Sequence, residues 1–205
     1  MKCLNMNGLN RLRGLSLVLL TAATPVLAHV GEHVHEHDET GAVVESTFSA
    51  FQSGVLHPVT GLDHLLMLLG TGLLAAVALR TLKLPMAALG AMFLGAVGGR
   101  YLGEFSAMEM VIVASLVLAG MALLLPKPYR RLTWLMPVMA LAHGWAHGVE
   151  ASPTAFWPFT LGFVLSSAVL LMAGYRMGIV LRAHERVRQV AGGGLIAFAA
   201  SLLAA

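Results

Sequence analysis

The chain is poor in charge and almost without cysteine. Only 11% of its 205 residues are Asp, Glu, Lys or Arg, whereas a soluble globular domain carries about a quarter. Its single cysteine, Cys3, stands at the extreme N-terminus, so the rest of the chain can form no disulfide and offers no thiolate to a metal. Any metal site must therefore use His, carboxylate, Met or backbone oxygen. No nucleotide-binding glycine motif is present, which argues against ATP hydrolysis by this chain. The net charge of +3 comes from short basic clusters between apolar runs, a pattern of bilayer orientation and not of a nucleic-acid footprint.

What fills the sequence is apolar: 58% hydrophobic residues and a mean hydropathy of +0.79. Those values describe an all-α integral membrane protein. Residues 1–28 read as a secretory signal peptide. Lys2, Arg11 and Arg13 form its positive region, Leu15 to Ala23 its apolar core and Val26-Leu27-Ala28 its cleavage site. The competing reading is an uncleaved anchor, but that core is short for the ~20 residues of a membrane span. Residues 29–48 form a periplasmic tail rich in His and acidic residues, read as disordered, and residues 49–205 the transmembrane domain.

Six apolar runs are expected as helices, near 52–79, 84–103, 107–125, 132–150, 155–175 and 189–205. Basic residues test that division, because they should collect in alternate loops. Arg80 and Lys83 follow the first run, Lys127, Arg130 and Arg131 the third, and Arg176, Arg182, Arg186 and Arg188 the fifth; only Arg100 lies by an opposite-side loop. The mature N-terminus and the C-terminus are therefore expected in the periplasm. The abundant glycines, including Gly90, Gly95, Gly98, Gly99 and Gly192 to Gly194, are expected to let helices approach closely.

The chemistry gathers in two stretches, His57-Pro58-Val59-Thr60-Gly61-Leu62-Asp63-His64 and His143-Gly144-Trp145-Ala146-His147-Gly148-Val149-Glu150. Ionisable groups inside apolar runs are costly in lipid unless met by each other, by water or by a cation. At ~3.6 residues per turn, His143, His147 and Glu150 share one helix face. Two imidazoles and a carboxylate suit Ni²⁺, Co²⁺, Zn²⁺ or Cu²⁺, and affinity order alone does not choose among them. No Glu follows His143, so the general base of a zinc-protease helix is missing. In the first run, His57 and His64 would share a face of a regular helix with Asp63 about 100° from His64. Pro58 and Gly61 weaken that helix and leave two outcomes open. An unwound segment would converge all three side chains and some freed carbonyls on a cation; a helical one would leave Asp63 to orient an imidazole from behind.

A lone membrane His is ordinarily an interhelical hydrogen bond, but four His and two carboxylates at matching depth point to a cation site. By the charge bias, the first helix enters from the periplasm and the fourth exits toward it, so the two motifs can share that site. Glu150, at the outer boundary, and Glu109, near the outer end of the third run, compete with an ordinary solvated role. His29, His33, His35 and His37 either gather metal at the periplasmic mouth or belong to a solvated acidic tail. Met67, Met136 and Met139 read as packing before thioether ligands, and Trp134, Trp145 and Trp157 as interface anchors or packing groups.

His57-Pro58 to Gly61-Leu62-Asp63-His64, followed by His143 and then His147-Gly148-Val149-Glu150, resemble the signature motifs of the HupE/UreJ family. The resemblance runs from the signal peptide to the last helix. It implies a six-helix bacterial inner-membrane permease for nickel, in some members cobalt, linked to hydrogenase or urease supply. Its metal-handling positions would be His57, Asp63, His64, His143, His147 and Glu150. Ala142 stands where an aromatic residue is frequent, a difference of packing. The expected function is secondary uptake of divalent nickel or cobalt between helices one and four, with no catalytic role and no tightly bound cofactor; the ion is cargo. The alternatives are a metal sensor or assembly protein, or a His-ligated membrane metalloenzyme or haem protein, without net transport.

Overall fold

The computed structural model describes residues 46–125 and 127–204, together with 36–37 and 43–44. The signal segment 1–28 and the tail residues His29, His33 and His35 lie outside the described residues. Within the tail, the backbone of Glu36–His37 pairs antiparallel with Val43–Val44, a local pairing where only disorder was expected.

The rest is helical: α1 Thr47–Thr60, α2 Leu62–Leu74, α3 Lys83–Leu102, α4 Met108–Leu124, α5 Met136–Glu150, α6 Phe156–Leu181 and α7 Glu185–Leu203. Six apolar runs thus yield seven helices, because the first run breaks in two. α1 continues through Pro58, whose missing N–H costs it one internal bond, and the break falls at Gly61, which adopts an extended conformation (φ −78°, ψ 109°) between α1 and α2. Two backbone hydrogen bonds persist across the break. The Gly61 N–H donates to His57 O at 3.0 Å, and Gly61 O accepts from Leu65 N–H at 2.9 Å.

Helix boundaries also shift from the apolar runs. α6 continues to Leu181 and takes in Arg176, while α7 starts at Glu185 and includes Arg186 and Arg188. The segment Lys127–Leu135 is a 3₁₀ stretch leading into α5. Leu62–Leu79, which is α2 with the π turn Ala75–Leu79, and Phe156–Leu181 are long and apolar enough to cross a membrane; Met108–Leu124 is apolar but shorter.

Glycines set how closely the helices pack. A Cβ at Gly95 or Gly99 of α3 would fall on the carbonyls of Leu141 and Trp145 of α5, and one at Gly144 or Gly148 of α5 on those of Met92 and Ala96 of α3. Each helix thus presses its small residues into the other's backbone. α1 and α6 do the same through Gly54 and Gly162, and α2 and α6 through Gly72 and Gly174. Gly90, Gly193 and Gly194 face open space instead, so the expectation of close approach fails for those three. A core of Met67, Leu68, Leu74, Met92, Leu116, Met136 and Phe163 fills the interior. Large apolar side chains such as Leu94, Val169 and Val180 stay exposed on the outer faces of α3 and α6.

Candidate metal centre

The break at Gly61 is what lets the first motif act as a unit. His57 lies in the last turn of α1, and Asp63 and His64 in the first turn of α2. A Cβ on residue 61 would come within 2.8 Å of His64 Nδ1 and 3.3 Å of Asp63 Oδ1, so glycine leaves the room in which those two groups meet. They do so at 2.8 Å, Asp63 Oδ1 to His64 Nδ1. A carboxylate only accepts, so His64 Nδ1 carries a proton, and in the neutral ring the lone pair is on Nε2. Asp63 also sits on the first turn of α2, where the helix dipole favours a negative charge.

Helix α5 brings the second motif to the same place. His147 is buried, and its Nε2 lies 2.7 Å from His64 Nε2. The His57 ring stands 4.4 Å from that of His147 and 5.4 Å from that of His64, centroid to centroid. One nitrogen from each of His57, His64 and His147 lies within 4.8 Å of the other two, a grouping able to hold a metal ion. On its far side, His147 Nδ1 faces Glu150 Oε2 at 3.4 Å. Phe163 of α6 closes against His147 at 4.6 Å and Phe159 against His57 at 5.8 Å, giving the cluster an apolar wall.

The six expected residues divide into three groups. His57, His64 and His147 converge. Asp63 and Glu150 stand behind two of those imidazoles, Asp63 against His64 Nδ1 even though the segment is broken. His143, fully buried one turn inward of His147, neighbours His64 at 5.1 Å between ring centroids. Its Nε2 instead meets Ser115 Oγ of α4 at 2.9 Å. Ser115 escapes a sequence reading, since a hydroxyl within an apolar helix is ordinarily satisfied by its own backbone; only the packing of α4 on α5 sets it opposite a histidine.

Other candidates lie elsewhere. Glu109 is exposed at the start of α4. Met67 and Met136 belong to the apolar core, with the Thr71 hydroxyl directed at Met67 Sδ, 3.6 Å away. Trp145 donates its Nε1–H to Gly103 O at 2.7 Å and packs against the Gly98 position, while Trp134 and Trp157 are exposed.

No curated protein and no solved structure matches the chain. The family described as HupE / UreJ protein matches it over residues 17–203, a stretch that contains both histidine motifs and every described helix. The chain therefore belongs to the HupE/UreJ family, a family of membrane proteins whose role is tied to nickel and cobalt transport.

Proposed function

We propose that this protein is a secondary permease of the bacterial inner membrane. It takes divalent nickel, or cobalt, from periplasm to cytoplasm and supplies hydrogenase or urease maturation. In this reading the chain crosses the bilayer six times, α1 and α2 together forming the first span, with both termini periplasmic. The exposed apolar side chains on the outer faces of α3 and α6 suit lipid better than water, and the basic connections after α2, α4 and α6 suit the cytoplasmic side.

The observation that carries the proposal is the row Asp63, His64, His147, Glu150. With a neutral pair, one proton must lie between the two Nε2 atoms 2.7 Å apart. If His147 supplies it, the bare His147 Nδ1 faces the Glu150 carboxylate, acceptor against acceptor. A divalent cation in place of that proton removes the conflict. Both Nε2 lone pairs then point at the ion, and both Nδ1–H groups donate to carboxylates, the arrangement that orients imidazole ligands in metal sites. Two nitrogens about 2.1 Å from one ion sit roughly 3 Å apart at a right angle and roughly 3.4 Å apart at the tetrahedral angle, so the pair needs to open by less than about 1 Å. His57 adds a third nitrogen. Three neutral imidazoles bind a borderline cation without the thiolates that would trap it, as a transport site requires.

The test is uptake of radioactive Ni²⁺ into proteoliposomes by the full chain, compared with His64→Ala and His147→Ala, with Co²⁺ and Zn²⁺ as competitors. Saturable uptake lost in both variants is the expected result. Undiminished flux in both would refute the shared site. Tight binding without flux would favour a sensor or assembly role, and a Soret band in the purified protein would favour haem.

A further inference from the structure

His143 differs from the other buried histidines in which nitrogen it has to give. The Ser115 hydroxyl has one proton, and it goes to the Ile112 carbonyl at 2.6 Å. Toward His143 Nε2, 2.9 Å away, Ser115 Oγ can therefore only accept, so the imidazole proton resides on Nε2. The lone pair of the neutral ring is left on Nδ1, which is buried and has no hydrogen-bond partner among the described residues. Leaving a buried polar atom unpaired costs about 1–3 kcal/mol, a cost that a guest on that atom removes.

The depth of this atom is also informative. Ser167 Oγ is likewise buried and unpartnered among the described residues. It lies one turn inward of Phe163 on α6, as His143 lies one turn inward of His147 on α5, and Phe163 and His147 pack at 4.6 Å. Unmet polar capacity thus continues one layer beneath His57, His64 and His147.

We propose that Ser115 is a positioning residue that holds His143 in its Nε2–H form, so that Nδ1 receives the cation one helical turn inward of the His57, His64 and His147 trio. His64 uses Nε2 because Asp63 occupies its Nδ1; His143 uses Nδ1 because Ser115 occupies its Nε2. The two rings, 5.1 Å apart, then offer opposite nitrogens to an ion moving inward. This inference rests on the permease reading for the identity of the ion, whereas the tautomer is testable without transport.

The experiment is ¹⁵N NMR of the full chain, labelled at histidine, in lipid bilayers, with His143 assigned by its absence from His143→Asn. The expected spectrum has the His143 proton on Nε2, and Zn²⁺ alone, chosen as a diamagnetic probe, shifts its Nδ1 resonance. In Ser115→Ala the proton spreads over both nitrogens and Zn²⁺ affinity falls roughly tenfold, the usual effect of removing a group that orients a ligand. Ser115→Thr, which keeps the hydroxyl, restores both. A proton on Nδ1 in the unaltered protein, or an unchanged tautomer in Ser115→Ala, overturns the inference. So does Zn²⁺ shifting His64 and His147 while His143 stays put, a result that leaves the permease reading standing. If Zn²⁺ shifts none of the four histidines, the shared metal site fails as well.

Discussion

One face of α5 carries Gly144 and Gly148, pressed onto α3; the neighbouring face, about 100° round the axis, carries His143 and His147, turned toward α2 and α4. The glycine face is closed: a Cβ at either position would land on the Met92 or Ala96 carbonyl. The histidine face is open in a chemical sense, with His143 Nδ1 and His147 Nδ1 both buried and without a hydrogen-bond partner among the described residues. The contrast teaches how a short helix can be both fixed and receptive. Close packing on α3 holds its position, so polar groups on the next face can be held unsatisfied at a defined distance from His64.

The largest effect is expected on the glycine side. Gly148→Leu, whose side chain must displace the α3 backbone, should abolish accumulation of folded protein, read as loss of the monodisperse peak in size-exclusion chromatography; a folded variant would show that the α3–α5 seam is not what fixes the histidines. Changes behind the histidine face should spare folding and weaken ion binding. Asp63→Asn, which removes the charge hydrogen-bonded to His64 at 2.8 Å, is expected to cost about 10–100-fold in Ni²⁺ affinity by calorimetry. Glu150→Gln should cost less, roughly tenfold or below, because Glu150 is 60% exposed and stands 3.4 Å from His147. The smallest effect should come from the core. Met67→Leu keeps volume and is expected to lower stability by less than about 1.5 kcal/mol with uptake unchanged; a collapse of uptake would make the Met67 thioether a ligand and extend the receptive face into the core.

Much of this architecture is legible in the residues themselves. The i, i+4 spacing puts His143 and His147 on one face of α5, and Pro58 with Gly61 marks where the first run breaks. The alternating basic loops place the two motifs toward the same end, and His64 and His147 do meet. What the residues do not disclose is set by partners remote in sequence. Gly95 and Gly90 read alike, yet only Gly95 meets a neighbouring helix. The carbonyls at the break look available for a cation, but Gly61 N–H and Leu65 N–H take two of them. Ser115 is one hydroxyl in an apolar helix until α4 packs on α5, and then it decides which nitrogen His143 offers.

Whether His64 and His147 bind one ion together is read from a double-mutant cycle on Ni²⁺ affinity. His64→Ala, His147→Ala and the double variant are compared with the unaltered chain by calorimetry in the same lipid. If the ion sits between the two Nε2 atoms, each single change removes the site and the double variant binds no more weakly than either, within about 0.5 kcal/mol. Losses that add in free energy would contradict a shared ion, because they would mean two histidines acting independently.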